Sequence, residues 1–557
     1  MVFPNPGLRL SASLLVLLIF GGILLAIAPS TRPAQESGAK FAAASLASEQ
    51  GEQSRLSPAH ARAALPASKV PGPREKLVSN YREPSGWSPA RSHESETPET
   101  AKAPDTHSSA EPLPPGTILH VVKRGEGLSS LIHLYLSSSD WMTATEMDAA
   151  LRHANGERKG NGLKPGESIL VPGMPATPIL ERPVGVPRDF EARGIYLTGG
   201  MAGSDRGIAL IRRWREAGGN AVVFDIKDSD GSLSVSFEHP LAAKIRRAPI
   251  QNLPKFIHFL HVQGMHAIAR IAIFRDEGLV LSHPETAVRS RRSGAPWREN
   301  RKLVWTDPSR DDVQNYNIAL AAFVARSGAD EIQFDYVRFP AEGDQADASF
   351  VFQSQHPQWQ RPDVIADFLS RAYSELHSIG ALLSLDVFGV MAWQRSIDLA
   401  HTGQDIARMA RFCDVLSPMI YPSHFFGMDG YDHPGDAPEH FIGESMERFR
   451  QVTAGSTTTL RPWLQAFAWR TKTYSPDYIL KQVVTAKSNG GIGFLFWNAR
   501  NDYGKPFVAM AAMRAAPERF FGRAKEKEDK EKAVPASSRL HEPANAVPHA
   551  PRSLHPN

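Results

Sequence analysis

Carboxyl side chains recur at the ends of short apolar runs between residues 220 and 390 of this 557-residue chain. They belong to Asp225, Asp228, Asp335 and Asp386. A carboxyl pair can cleave a glycosidic bond, with one group as acid and the other as nucleophile or base. The two groups lie about 5–5.5 Å apart for retention and about 6.5–9.5 Å apart for inversion. If the runs are neighbouring strands, Asp335 and Asp386 fall within that range, so the sequence predicts two-carboxylate hydrolysis.

Cations and aromatic rings accompany these carboxyl groups. Cations can hold one carboxylate ionised while another stays protonated, and aromatic rings suit the faces of sugars. The predicted substrate contacts are Asp225, Lys227, Arg270, Tyr336, Arg338, Tyr421, His424, Gln465 and Trp497. The alternative is a structural role for the four carboxyl groups, in buried ion pairs with these cations.

Other chemistries lack their motifs. The 20 histidines are scattered without HExxH, and no GxSxG elbow, Gly-rich dinucleotide fingerprint or phosphate loop is present. Cys413 is the single cysteine, which excludes an internal disulfide and cysteine-clustered zinc or iron–sulfur sites. The sequence therefore predicts no metal and no organic cofactor. A net charge of +4 is too small to indicate a nucleic-acid partner.

Eight short apolar runs that alternate with amphipathic stretches must position these residues. The predicted strands cover 194–198, 221–228, 267–274, 331–339, 382–388, 415–421, 462–467 and 491–497. Such alternation indicates parallel pairing through right-handed crossovers, and eight units over 190–520 fit an α/β fold, the (β/α)8 TIM barrel. An open doubly wound sheet is the alternative. In a barrel the active site lies at the carboxyl ends of the strands, where the candidate residues fall.

A basic loop follows the third predicted strand and would border the barrel mouth. It contains two tryptophans and the cations Arg289, Arg291, Arg292, Arg298, Arg301 and Lys302. A solvated insertion is the simpler interpretation. The alternative hypothesis is a contact for an anionic glycan.

The two ends of the chain differ from its middle. Residues 10–28 form an uncharged apolar run long enough to span a bilayer, after a short segment at 1–9, and a cleaved signal peptide is the alternative. Residues 29–115 and 521–557 are rich in proline, small and charged residues, which predicts disorder. We expect an inner-membrane anchor with the rest of the chain facing the periplasm or the cell exterior, or export.

Residues 116–175 have a strand–helix–helix–strand pattern of their own. "VVKRGEGL" leads from a strand through a turn into a helix, and "LKPGESILVP" turns into a second strand. This pattern resembles the LysM module, which binds N-acetylglucosamine-containing glycans such as peptidoglycan. A small structural spacer is the alternative.

The strand motifs also resemble a known family. "FDIKDSDG", "WTDPSRDDV", "ADEIQFDYVRFP", "SLDVFG", "SPMIYPSHF" and "GFLFWNA" are similar to a bacterial glycoside hydrolase-like family with a TIM-barrel domain, long labelled only as of unknown function. That family is distantly similar to α-amylase-like barrels, whose nucleophile is an aspartate at the end of strand four. The resemblance implies that Asp335 is the nucleophile. It implies an acid near Asp386, where the α-amylase-like enzymes have a glutamate, and Asp228 is the fallback.

The hypothesis from the sequence is a glycoside hydrolase of a cell-envelope or extracellular polysaccharide. Arg270 and Arg338 would keep Asp335 ionised, and Asp386 would protonate the leaving oxygen. The rival is a catalytically silent glycan-binding or scaffold protein, and a carbohydrate esterase is a third interpretation, against which the lack of a histidine-rich metal set argues.

Overall fold

The computed structural model describes residues 113–425 and 427–523. The predicted segment at 10–28, and most of the linker and tail predicted around the folded part, lie outside these residues. Within them, no helix is long and apolar enough to cross a membrane.

The first folded region is a small strand–helix–helix–strand unit. Strand β1 (Thr117–Val121) pairs antiparallel with β2 (Ser168–Pro172), and helices α1 (Leu128–Tyr135) and α2 (Ala144–Ala154) lie between them in sequence. Apolar residues of both helices and of β2 form its core, among them Leu131 and Leu151. The order of elements is the one that the sequence predicted.

Eight parallel strands form a closed barrel. They are β3 (Arg193–Leu197), β4 (Ala221–Lys227), β5 (His266–Ala272), β7 (Glu331–Asp335), β9 (Leu382–Phe388), β10 (Val415–Met419), β12 (Trp463–Gln465) and β13 (Phe494–Trp497). Each pairs with the next, and β13 pairs with β3, which closes the ring. Short strands β6 (Arg289–Ser290) and β8 (Ala348–Ser349) pair with each other, and β11 (Thr459–Leu460) pairs with β10. The predicted TIM-barrel fold is therefore confirmed.

Helices surround the barrel. They are α3 (Gly199–Ala202), α4 (Asp205–Glu216), α5 (Leu253–Val262), α6 (Glu277–Ser282), α7 (Asp311–Arg326), α8 (Phe352–Gln355), α9 (Arg361–Ile379), α10 (Ser396–Thr402), α11 (Ile406–Met409), α12 (Pro438–Val452), α13 (Pro476–Ser488), α14 (Gly504–Ala515) and α15 (Pro517–Phe520). One large core lies between strands and helices. A second, smaller core fills the barrel interior and includes Val223, Ile268, Trp463 and Leu495. Alternation along each strand assigns side chains to one core or the other.

Two strands differ from their predicted bounds at positions that matter for the site. The run predicted over 331–339 ends as a strand at Asp335, because Tyr336 has a left-handed backbone with φ 54°. The run predicted over 462–467 is shorter and forms β12. Arg461 and Pro462 separate β12 from β11, because the proline has no N–H to donate to the strand ladder.

The small unit packs directly on the barrel. The ammonium of Lys255, in the first turn of α5, donates to the carbonyl oxygens of Leu136 and Trp141 at 2.6 Å each. Arg212 of α4 forms an ion pair with Glu146 of α2 at 2.6 Å. In a barrel of this type the helices begin on the face where the strands end. The contact through Lys255 therefore places the small unit beside the rim of the face where the strands end.

Candidate active site

Side chains from four adjacent strands meet inside the barrel at its carboxyl-terminal end. Asp225 of β4 pairs in register with Arg270 of β5, and Phe334 of β7 pairs with Leu385 of β9. The following residues, Asp335 and Asp386, therefore occupy neighbouring positions on neighbouring strands. Parallel strands lie about 4.8 Å apart, so these two backbones approach at the shortest distance that a barrel offers.

Arg270 is the centre of the cluster. Its Nη2 donates to Oδ2 of Asp335 at 2.8 Å, and its Nη1 donates to Oδ1 of Asp225 at 2.5 Å. Its guanidinium lies over the ring of Trp497, 5.3 Å from the centroid. Because the residue is only 2% exposed, these charge-assisted bonds act with little competition from water.

Asp335 is held in a fixed orientation but is not enclosed. Its Oδ2 accepts from Arg270, and its Oδ1 accepts from the backbone N–H of Tyr336 at 2.6 Å. That second bond depends on the left-handed backbone of Tyr336, a conformation that costs free energy for a bulky residue. The side chain is 10% exposed, which leaves an edge of the carboxylate open to the barrel mouth.

Asp386 has the opposite environment. Its Oδ1 accepts a hydrogen bond from Nε1 of Trp463 at 2.7 Å, and among the described residues no cation lies within 4.0 Å of its carboxyl group. Burial, together with the charge of Asp335, raises the pKa of Asp386 well above its usual range, although Arg270 and the indole oppose the shift. Burial therefore favours the protonated form of this carboxyl group.

Asp225 and Asp228 lie on the other side of Arg270. The Tyr196 hydroxyl donates to Asp225 at 2.5 Å, and burial raises the pKa of Asp225 to about 7 against the field of Arg270. Asp228 is more exposed, at 28%, and lies 3.8 Å from the guanidinium. Asp225 is thus part of a buried network, whereas Asp228 faces the opening.

Tyr421 and His424 form an aromatic group after β10. The ring of His424 lies 5.3 Å from that of Tyr421 and 5.1 Å from that of Trp469. Burial, with the charge of Arg470, lowers the pKa of His424 to about 4, so the ring is neutral above that pH. A neutral, half-buried aromatic wall of this kind suits the face of a sugar.

Three predicted contacts make no direct bond to the cluster around Arg270. Lys227 turns outward, since the register shifts between Asp225 and Lys227, and its ammonium donates to Asp276 and Asn317 at 2.8 Å each. Gln465 is fully buried and its amide binds backbone and hydroxyl groups of the loops. Arg338 contacts aromatic rings and makes no ion pair with Asp335 within 4.0 Å. Substrate contacts of Lys227 and Gln465 stay predictions, and Arg338 and Asp335 act on each other through their charges without a direct ion pair.

No group of three or more histidine, cysteine, aspartate or glutamate side chains in residues 113–425 and 427–523 is arranged to hold a metal ion. The chemistry available at the barrel mouth is that of carboxyl groups, a guanidinium and aromatic rings.

Residues 194–503 match the model of a family described as "Putative glycosyl hydrolase domain". The chain belongs to this family. It is a glycoside hydrolase, which agrees with the resemblance seen in the strand motifs. No curated protein matched the sequence.

Solved structures similar to this hydrolase include three bacterial proteins. A hypothetical protein from Ruminiclostridium thermocellum is 34% identical over 35% of this chain and 97% of its own, with a TM-score of 0.30. The PgaB (BpsB) glycoside hydrolase domain from Bordetella bronchiseptica is 15% identical over 60% of this chain and 100% of its own, with a TM-score of 0.43. The spore cortex-lytic enzyme SleL from Bacillus megaterium is 13% identical over 73% of this chain and 87% of its own, with a TM-score of 0.36.

Sequence reasoning missed several residues of the hydrolase's barrel mouth. Trp463, the donor to Asp386, lies two residues before Gln465 on the same strand, so strand alternation could have found it. Tyr196, the donor to Asp225, is the next-to-last residue of the first barrel strand and could have been found in the same way. Arg275 lies just beyond the third barrel strand, and only its burial beside Tyr336 distinguishes it from the basic loop that follows.

Proposed function

We propose that this hydrolase cleaves a cell-envelope or extracellular polysaccharide, with Asp335 as nucleophile and Asp386 as general acid. One observation carries the proposal: two carboxyl groups on neighbouring strands have opposite environments. Asp335 accepts hydrogen bonds from a guanidinium and a backbone N–H, and Asp386 is buried where the protonated form is favoured. Such a division is what glycosidic cleavage needs.

The proposed first step follows from these environments. The Asp335 carboxylate attacks the anomeric carbon while the proton of Asp386 passes to the leaving glycosidic oxygen. Water, deprotonated by the Asp386 carboxylate, then hydrolyses the glycosyl ester and restores both groups. The adjacent register positions support the shorter carboxyl separation and hence retention of anomeric configuration.

The rest of the chain supports an envelope substrate. Residues 116–175 would bind an N-acetylglucosamine-containing glycan such as peptidoglycan, and residues 10–28 would anchor the chain in the inner membrane or direct its export. These roles rest on the sequence patterns. The packing of the small unit on the barrel would keep a glycan bound there close to the catalytic face.

The test is release of reducing ends from a panel of envelope polysaccharides and exopolysaccharides by the full-length chain. Asp335→Asn is expected to lower release by at least about 10³-fold, since the substitution removes the nucleophile. The matched control is Asp477→Asn, whose side chain is 73% exposed on α13. Glycan binding with no release by the unmodified chain would instead favour the scaffold interpretation, and unchanged release by Asp335→Asn would refute the assignment.

Asp228 offers a check on the acid. If Asp228→Asn abolishes release and Asp386→Asn does not, the proton comes from the more exposed carboxyl group. The anomeric configuration of the first product, followed by proton NMR, distinguishes retention from inversion.

A further inference from the structure

Within residues 113–425 and 427–523, two arginines beside the proposed nucleophile form no ion pair with a carboxylate. Arg275 follows β5 and Arg338 follows β7, and their guanidinium carbons lie 5.7 Å and 5.5 Å from the ring centroid of Tyr336. Tyr336 comes directly after Asp335 in sequence. The charges of Asp335, Arg275 and Arg338 all act on the Tyr336 hydroxyl, so both cations lie near the proposed nucleophile.

Both side chains are buried, yet few of their donors are used. Arg275 is 4% exposed and donates to the carbonyl oxygen of Ser229 at 3.1 Å. Arg338 is 7% exposed and donates to the carbonyl oxygen of Phe339 at 3.1 Å. A guanidinium has five N–H donors, so most of each fork remains available.

Among the described residues, no carboxylate oxygen lies within 4.0 Å of either guanidinium. Glu299 and Glu342 are the acidic side chains that act on them from farther away, together with Asp335. Other buried arginines of the barrel are paired directly: Arg270 with aspartates and Arg461 with Glu331. A buried cation without a partner is destabilising, and a bound anion would compensate for it.

Three aromatic rings surround the guanidinium of Arg338. Phe388, Trp305 and Tyr336 lie 4.3, 4.7 and 5.5 Å from its central carbon. Arginine stacks on aromatic faces and can still donate in its own plane, where the fork matches a carboxylate.

We infer that Arg275 and Arg338 form a subsite for a carboxylate on the substrate, so that the hydrolase acts on an acidic glycan. The inference rests on the proposed function and specifies its substrate class. The carboxylate could belong to a uronic acid ring or to the lactyl group of muramic acid, and both present the same planar anion.

Most cations of the basic loop are exposed, so water competes for any anion that they bind. Arg292 is 71% exposed and pairs with Asp344, and Arg291 donates to Gln353. The ion pair with Asp344 partly neutralises the positive charge of this loop. The anionic contact that the sequence suggested for the loop is placed at the buried pair, whose cations are shielded from water.

Calorimetric binding to the full-length chain in an Asp335→Asn background tests the inference without turnover. The probes are oligogalacturonate and oligoglucuronate hexamers, their carboxyl-reduced forms, and peptidoglycan glycan strands with free or reduced lactyl groups. At least one acidic probe is expected to bind about tenfold or more tightly than its reduced form. Arg275→Gln and Arg338→Gln should each reduce that preference strongly, and Arg292→Gln should leave it unchanged. Thermal unfolding shows whether each variant is folded. If Arg338→Gln does not fold, Arg275→Gln alone tests the inference.

Equal binding of acidic and reduced probes, or binding of none, would overturn the inference. Its failure is distinguishable from that of the proposed function. Asp335-dependent cleavage of glycans without acid discrimination would leave only the hydrolysis standing. Arginine-dependent acid discrimination without cleavage by the unmodified chain would leave only the subsite standing.

Discussion

The two ends of the barrel interior use the same residue types in different ways. At the amino-terminal end, Nη1 of Arg461 donates to both oxygens of Glu331 at 2.9 and 2.8 Å, and His266 adds a bond at 3.0 Å. Both charged side chains are fully buried. At the mouth, Asp386 has an indole N–H and no cation within 4.0 Å among the described residues.

The pKa values of Glu331 and Asp386 differ because the two carboxyl groups have different numbers of charged partners. Burial alone would raise the pKa of Glu331, but Arg461 and His266 overcome this and lower it to about 2. Burial with Asp335 nearby raises the pKa of Asp386 instead. A buried carboxyl group that is fully paired stabilises the fold, and one that is left short of partners keeps a proton available for chemistry.

The largest expected effect is on catalysis at the mouth. Asp386→Asn removes the acid but keeps the shape and the acceptor for Trp463, so we expect kcat on a natural glycan to fall by about 10²–10⁴-fold. An aryl glycoside with a good leaving group needs less protonation and should lose less. In the unmodified enzyme, activity should fall as pH rises through the raised pKa of Asp386, and this alkaline limb should vanish in the variant. An equal loss on both substrates would argue against the acid role.

The next effect is on stability at the amino-terminal end. Arg461→Met leaves the Glu331 carboxylate buried without its main partner, so we expect a loss of about 3–5 kcal/mol in the free energy of unfolding. The double variant Arg461→Met with Glu331→Gln should recover part of this. Urea unfolding measures both, and a single variant as stable as the unmodified chain would contradict the comparison.

The pH dependence of stability gives a third, smaller effect. The pKa of Glu331 is about 2 in the folded chain and 4.5 ordinarily, so the unfolded chain binds more protons between these values. The contribution of the Glu331 carboxylate to the free energy of unfolding is complete above pH 4.5 and is lost as pH falls toward 2. The unmodified chain should therefore lose more stability between pH 5 and 2 than Glu331→Gln does, in parallel urea titrations. Equal slopes would count against the paired carboxylate.

The smallest effect concerns the indole N–H that donates to Asp386. Trp463→Phe removes an N–H that favours the carboxylate, so the pKa of Asp386 should rise further and the alkaline limb of kcat/KM should move to higher pH. The rate at neutral pH should change by less than about tenfold. Trp214→Phe, whose indole donates to the carbonyl oxygen of Arg193 at 3.0 Å, is the matched control and should leave the limb in place.

Much of this architecture could be predicted because strand alternation is visible in the residues. All eight barrel strands, and the positions of Asp335 and Asp386 at their ends, follow from apolar periodicity. Local backbone departures could not be predicted. The register shift after Asp225 turns Lys227 outward, and the positive φ of Tyr336 ends β7 early. Neither is encoded by residue type, since tyrosine rarely adopts that conformation.

Partnerships across the barrel were also out of reach, because they join residues far apart in sequence. Trp463 reaches Asp386 over 77 positions, and Arg461 reaches Glu331 over 130. No local pattern signals such a pair. In the sequence, nothing distinguishes Arg461 from an exposed arginine before a proline.

That separation has a kinetic consequence. Glu331 begins β7, the fourth barrel strand, and Arg461 lies two residues before β12, the seventh. The ion pair between them therefore forms only when the intervening chain has folded into one ring. Contacts that form after the rate-limiting step of folding change the unfolding rate more than the folding rate. We therefore expect loss of this pair to open the ring faster while leaving the speed of its assembly nearly the same.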